Sequence, residues 1–380
     1  MEKACGLDVH KESVFACILD EQGKKIFEKR YGTLTPDLIA LRDTLVEYGC
    51  NRVAMESTSI YWMPIWHILR SDFDLTLVNP YFIKQLPGRK SDVKDAHWIA
   101  ECLYKHSLKS SFVAGEIQQQ MRQYTRQYRR LRKNKVRLNQ QMDNQLQRCN
   151  IRFSNYICNQ GKNISLRKII NAIILGERDP VKLCCLVHGS TRKKHGEQLI
   201  IDSLSGVIQQ ADIEILIQCV EQLHLIEKQQ ATCLNHLEEL ANTHFAEEIS
   251  LLCTIPGIST LSALCILAEI GNDMSAFQKA THLVGWAGLR PRNDETAQKI
   301  KSRNILHGNK YLREILVEIS WAAIHVNKSF LSRKFYILSN RKVSQKAIIA
   351  ITRKILVIIY NVLKTKQPFD WNRNMQATKA

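Results

Sequence analysis

Three strand signals, a helix, a strand, a second helix and a further strand follow one another between Lys3 and Pro80. Few folds accommodate that order. KACGLDV and SVFACIL read as strands, DEQGKK as a hairpin turn and KIFEKRY as a third strand, so the chain opens with an antiparallel meander. TPDLIALRDTLVEYG carries a Thr cap, Pro in the first turn, helical apolar spacing and a closing Gly. A buried strand RVAME, a helix from about Tyr61 to Leu69 and a strand LTLVNP complete the series.

This is the strand and helix order of a ribonuclease-H-like α/β domain, and it gives several carboxylates a place to meet. Asp8 falls within the first strand and Glu56 at the end of the fourth. If those strands are neighbours, the two side chains share one end of the sheet. The stretch GRKSDVKDAHWIA, residues 88–100, then starts a helix with Ser91 as its N-cap, and helical spacing groups Asp92 and Asp95 with Ala96, Ile99 and Leu103. Acidic residues in a first turn are favoured by the helix dipole and need no chemical purpose. On a packing stripe, however, they need a cation. Four converging carboxylates, Asp8, Glu56, Asp92 and Asp95, repel one another unless hard divalent ions neutralise them, and oxygen-only ligands favour Mg²⁺ or Mn²⁺ over zinc. Such ions suit phosphoryl transfer. His10 and His97 flank the acids and read as spectators or phosphate contacts rather than ligands.

The rest of the 380-residue chain bears on the partner. A formal net charge of +18, a pI near 9.4 and 45% hydrophobic residues describe a protein with real cores and a strong excess of Lys and Arg. A polyanion is the expected partner, nucleic acid ahead of an anionic membrane surface. No apolar run reaches the roughly 18 residues of a spanning helix, and MEKACGLDVHK lacks the features of a signal peptide, so the expectation is a cytoplasmic protein with no membrane partner. The 12 cysteines are scattered and form no CxxC, and the pair Cys184 and Cys185 lacks zinc-site spacing. They read as reduced, packed residues. No Walker loop, GxGxxG or HExxH occurs.

From about residue 115 the chain turns helical. IQQQMRQYTRQYRRLRKNKVRLNQQM has no acidic residue, and Met121, Tyr124, Tyr128, Leu131, Leu138 and Met142 fall at seam spacing with Lys135 among them. The charges include Arg122, Arg126, Arg129, Arg130, Arg132, Lys133 and Arg137, candidates for holding a nucleic-acid backbone because the segment offers no counter-charge. The alternative is an internally packed helix with a solvated basic face. A second long helix, about Ile213 to Leu240, repeats apolar residues at heptad-like intervals, so the two form an antiparallel hairpin or a dimer contact. Residues 154–200 offer only short apolar runs. LLCTIPGISTLSALCILAEIG then reads as helix, Pro-Gly turn, helix, a helix-hairpin-helix whose turn amides from Gly257 to Ser259 could hold a phosphate. A polar loop of about 20 residues follows GWAGLRP, a length that in a compact domain is usually functional or disordered.

GLDVHK, AMESTSIYW, LVNP and KSDVKDA, followed by IPGIS, GWAGLRP and HGNKYLR, together resemble the IS110 family of insertion-sequence transposases, which includes the Piv-type DNA invertases. The resemblance runs from the first strand to about residue 365. It implies an α/β RuvC-like (ribonuclease-H-like) domain at 1–112 with Asp8, Glu56, Asp92 and Asp95 as its acidic set. It further implies a mostly helical coiled-coil insertion at 113–245 and a second helical catalytic domain at 246–380 carrying a nucleophilic serine. It implies a noncoding bridge RNA that pairs with donor and target DNA, and an assembly from dimer to tetramer. The position of the family's serine corresponds here to Thr296. A threonine hydroxyl can attack, but its methyl crowds phosphorus and restricts its rotamers. Ser302 is the alternative. Lys310 and Arg313, after the Gly-Asn turn, are candidate phosphate clamps. Two other readings stay open: a RuvC-like junction resolvase or nuclease using metal-activated water, and a non-catalytic nucleic-acid-binding protein descended from a transposase.

Overall fold

β1 (Ala4–Val9), β2 (Val14–Leu19) and β3 (Lys25–Tyr31) form an antiparallel meander, and β4 (Arg52–Glu56) and β5 (Asp74–Val78) add in parallel on the other side of β1. The sheet order is therefore β3-β2-β1-β4-β5. In this computed structural model the described residues are 2–83, 95–158, 163–290, 294–296, 299–302, 308–326, 329–341 and 343–370. They fall into two compact units, Met1–Val113 and Ala114–Ala380.

In the first unit the central strand is buried on both faces, which is why its sequence shows no clean alternation. Cys5, Leu7 and Val9 face one core with Leu38, Leu41 and Leu45 of α1 (Thr35–Glu47) and Ile65 and Leu69 of α2 (Trp62–Leu69). Ala4 turns to the other face and, with Ala54 and Val78, packs under Ile83 of α3 (Pro80–Ile83) and Ile99 and Leu103 of α4 (Asp95–Tyr104). Thr35 is not the cap of α1: Leu34 occupies that position without a side-chain bond, and Pro36 in the first turn, with its φ already fixed, starts the helix instead.

The second unit is helical. α5 (Glu116–Arg148) is followed by α6 (Ile164–Ile174), α7 (Pro180–Cys185), α8 (Gly189–His195), α9 (Glu197–Leu204) and α10 (Gln210–His244). α5 and α10 run antiparallel: Tyr124 stacks on His236 with ring centroids 5.4 Å apart, Lys135 meets Glu227 at 2.7 Å, and Gln145 reaches Asp212 at 2.5 Å. At one end of this pair α6, α7 and α9 bury Ile169, Ile173, Leu183 and Ile200 against Leu138, Leu146, Leu216 and Leu223. So the stretch from residue 154 onward, opaque in the sequence, contains short helices of which α6, α7 and α9 close a core that none of them fills alone, while α8 stays at the surface.

Beyond α10 come α11 (Ala246–Cys253), α12 (Thr260–Ile270), α13 (Ala280–Trp286), a hairpin of β6 (Asp294–Thr296) and β7 (Lys299–Ser302), α14 (Lys310–Ile324), α15 (Phe330–Ser339) and α16 (Ser344–Thr365). The stretch expected as a structureless loop thus contains a short hairpin. All 12 cysteines are free, and burial pushes the thiols of Cys50, Cys102, Cys149 and Cys265 up to about 11. Among the described residues no helix is long and apolar enough to cross a membrane.

Candidate catalytic and nucleic-acid sites

The register of the first sheet places its acids. β1 and β4 pair in parallel with Leu7 opposite Met55, so the next residues, Asp8 and Glu56, sit side by side at the same end. Asp8 shares its strand face with Ala4 and Gly6, and Glu56 shares its face with Ala54, so both carboxylates lie on the side covered by α4. Gly6 sets how closely that helix approaches: a β-carbon there would lie 2.2 Å from the Ala96 carbonyl oxygen and 2.4 Å from the Ala100 nitrogen. Ala96 and Ala100 therefore cross over Gly6, while Leu103 packs with Ala4. α4 runs antiparallel to β1, and its first residue, Asp95, stands at the Asp8 end of the sheet.

Asp8 and Glu56 are thereby neighbours at one end of this face, and Asp95 starts the helix that covers it. Neighbours orient two of them: His10 Nε2 lies 3.0 Å from Asp8 Oδ2, and the Thr58 hydroxyl donates to Glu56 Oε1 at 3.1 Å. His97 turns instead toward Glu101, with Nδ1 at 3.9 Å from Oε1. Ser91 and Asp92 lie outside the described residues. Among those described, no group of three or more His, Cys, Asp or Glu side chains is close enough to hold one metal ion in common. In donor type, though, the carboxylates fit a hard divalent cation.

In the second unit the chain leaves and re-enters the helical scaffold at one point. A β-carbon on Gly308 would lie 2.2 Å from the Gly288 nitrogen, and the Asn309 amide donates to the Trp286 carbonyl at 3.1 Å. Between these residues the β6–β7 backbone pairs Thr296 with Lys299 and Asp294 with Ser302. The side chains of Thr296 and Ser302 lie outside the described residues. Asn309 caps α14, its Oδ1 accepting from the Tyr311 and Leu312 amides at 3.0 Å, while its Nδ2 donates to Glu269 Oε2 at 2.6 Å. Lys310 is exposed at the start of α14, 5.2 Å from the centre of the Tyr311 ring. Arg313, one position inside that turn, is half-buried.

The turn after α11 has a packing role. Gly257 adopts φ 84°, and a β-carbon on it would come within 2.7 Å of the Ala323 nitrogen and the Ile319 oxygen, so it lets the turn press onto α14. Ser259 is exposed and spends its hydroxyl capping α12 through the Ser262 amide at 3.3 Å.

The basic helix α5 corrects the sequence reading most sharply. Its missing counter-charges come from α12 and α14. Arg126 forks onto Glu269 with two bonds of 2.9 Å, and its guanidinium lies 4.2 Å from the Tyr311 ring centre. Arg122 donates to the Ala268 carbonyl at 2.9 Å and also bonds the Glu269 carbonyl; burial pulls its pKa down to about 10, still protonated at neutral pH. Arg129 bridges Glu314 and Glu318 at 3.0 and 3.4 Å, Arg132 meets Glu318 at 3.0 Å, and Lys133 meets Glu314 at 3.3 Å. All five thus have a partner within the chain, Arg132 and Lys133 while staying largely exposed. Arg130 and Arg137, seven positions apart on the exposed face, form no ion pair among the described residues. The sequence did hold a signal for the missed Glu269: a lone carboxylate in the apolar run LSALCILAEIG needs a buried cation.

Comparisons with known proteins agree at both ends of the chain. A family model for transposases of the DEDD, IS110 type matches residues 5–151, and a model described as Transposase IS116/IS110/IS902 family matches residues 249–336; together they cover more than half of the chain. The pilin gene-inverting protein of Moraxella bovis is 37% identical over 127 residues, 32% of this chain, and its namesake from Moraxella lacunata matches to the same extent. The matched stretch spans 38% of the length of each of those two curated relatives. The transposase for insertion sequence element IS1111A of Coxiella burnetii is 24% identical over 376 residues, 97% of this chain and 91% of that protein. A solved Thermus RuvC bound to a Holliday junction substrate aligns over 29% of this chain and all of its own at 10% identity, with a TM-score of 0.22, too low to bear on the fold.

Proposed function

The chain belongs to the IS116/IS110/IS902 family of transposases, and on that premise we propose that it is a DNA transposase or recombinase of an insertion sequence, cutting and rejoining DNA by phosphoryl transfer. The observation that carries this reading is the placement of Asp8 and Glu56 side by side at one end of one sheet face, with Asp95 starting the helix that covers it. The order β3-β2-β1-β4-β5 supports a ribonuclease-H-like, RuvC-like first unit. Asp8, Glu56 and Asp95, with Asp92, would hold Mg²⁺ or Mn²⁺, which supplies charge neutralisation at the phosphate under attack. His10 and Thr58 steady the first two carboxylates, so that their orientation does not rest on the ion.

The nucleophile in this reading is a hydroxyl of the second unit, Thr296 or else Ser302. Its oxygen bonds to phosphorus as the bond to the departing strand breaks, and the DNA stays joined to the protein until strands exchange. A noncoding bridge RNA as guide, Lys310 and Arg313 as phosphate clamps, and assembly from dimer to tetramer complete the reading.

Trapping DNA on denatured protein tests it. A covalent adduct that Thr296→Ala abolishes and Ser302→Ala spares identifies the threonine; the converse identifies the serine. If neither substitution lowers the adduct, both assignments are wrong. The threonine where the family has serine favours a non-catalytic nucleic-acid-binding protein, which would cut under no condition; the other rival is a nuclease in which water attacks. Free 5′-phosphate and 3′-hydroxyl ends without any adduct would establish that reading instead.

A further inference from the structure

Between Glu318 and Asp370 the chain has no acidic residue and ten Lys and Arg. This is the reverse of α5, whose basic residues are met by Glu269, Glu314 and Glu318. Along α16, Lys346, Arg353 and Lys364 are exposed and fall on one line, since spacings of seven and eleven residues are close to whole helical turns. The line runs for ~27 Å at the helical rise. Lys354 lies beside it, toward α15, over the Phe330 ring at 5.2 Å and near Lys334; burial and this second ammonium pull its pKa below the ordinary lysine value. Two adjacent ammonium groups without a carboxylate are held together at a cost that an anion between them would remove.

Among the described residues none of Arg333, Lys334, Arg341, Lys346, Arg353 and Lys354 forms an ion pair. The nearest compensated charge on this stretch is Lys366, which bonds Glu248 of α11. Neither α15 nor α16 has an acidic residue in its first turn.

We propose that the outer face of α15 and α16 is a docking surface for the phosphate backbone of duplex DNA, with Lys346, Arg353 and Lys364 tracking the backbone and Lys334 and Lys354 sharing one phosphate. The proposal rests on the transposase reading for its choice of polyanion. A straight row of charges matches a line of phosphates, and it specifies position without reading bases. Ile337 and Val343, exposed on the same stretch, are what an anionic membrane would use, so vesicles serve as the opposing probe.

The experiment measures binding of the full chain to a short duplex of arbitrary sequence between about 50 and 200 mM salt. Lys346→Gln/Arg353→Gln, and separately Lys334→Gln/Lys354→Gln, should each weaken binding at least about tenfold, the first pair flattening the slope of log affinity against log salt by about two and the second, which shares one phosphate, by about one. Lys346→Arg/Arg353→Lys should restore both, which separates charge from fold. Unchanged affinity and slope in both glutamine pairs overturns the proposal, as does loss of binding only to phosphatidylserine vesicles or only to single-stranded RNA. A strand-cleavage assay on the wild type keeps the two readings apart: binding that depends on this face without any cleavage defeats the transposase reading alone, and cleavage with binding indifferent to this face defeats the docking surface alone.

Discussion

Arg126 and Glu269 meet as a fork on a carboxylate, with Nε and Nη2 each 2.9 Å from a different oxygen of a side chain that is only 3% exposed. Asn309 reaches the same carboxylate from the start of α14. One buried acid therefore ties α5, α12 and the end of the segment that carries Thr296 and Ser302. Glu269→Gln should lower stability by about 2–4 kcal/mol, the range for breaking a buried pair when one partner keeps some access to solvent. Arg126→Lys should cost about 1 kcal/mol, because charge survives and the fork does not. Chemical denaturation of both variants measures this; a Glu269→Gln protein as stable as the wild type would show that the fork contributes nothing net.

Gly6 should not tolerate a side chain. A β-carbon would overlap the backbone of α4 at Ala96 and Ala100, so Gly6→Ala should destabilise the first unit by about 1–3 kcal/mol and displace Asp95 with the helix. Thermal unfolding checks the first effect, and divalent-dependent activity checks the second.

How far these features could be read from sequence depended on how local their causes are. The sequence of strands and helices and the buried stripe of Ala96, Ile99 and Leu103 follow from period and turn signals, whereas the parallel pairing of β1 and β4 could be expected only from the element order of a ribonuclease-H-like domain. The partners of α5 do not, because Glu314 and Glu318 lie more than 180 residues along the chain from the arginines they neutralise. An acid-free segment reads as unpaired until the fold delivers its counter-ions. Gly6 gave a usable sign that passed unread, since a glycine within a buried strand often marks close approach of another backbone. Of the short helices after residue 154, α7, α8 and α9 are too brief for their spacing to separate helix from strand, whereas α6, 11 residues long, is the one whose period was legible.

Asp8→Asn and Glu56→Gln should each reduce strand cleavage at least about a hundredfold while leaving affinity for DNA within a factor of about two. Chelating divalent ions should reproduce the loss in the wild type and add nothing to the variants. Cleavage that persists in Asp8→Asn would remove the acidic set from the chemistry.

Glu248 gives the second unit an acid-sensitive contact. Burial pushes its carboxyl up, but the Lys366 ammonium and the Asn272 amide pull it down and prevail, holding it below the ordinary carboxylate range. A depressed folded value means that the contribution is fully present above the unfolded value of about 4.3 and fades as pH falls through the folded one. Glu248→Gln should therefore cost about 2 kcal/mol at neutral pH, discounted for the partial exposure of Lys366. That deficit should shrink as pH falls from about 5 to 3. A deficit that stays constant over this range would show that the ion pair is not its source.

The contact between Gly288 and Gly308 fixes both ends of the intervening segment at one place. A segment of another length whose ends meet in the same way would leave the spacing of α13 and α14 unchanged. Swapping in the corresponding segment of a serine-bearing relative, ends matched at the two glycines, would convert the threonine question into one of interchangeable parts, with the scaffold left as it stands.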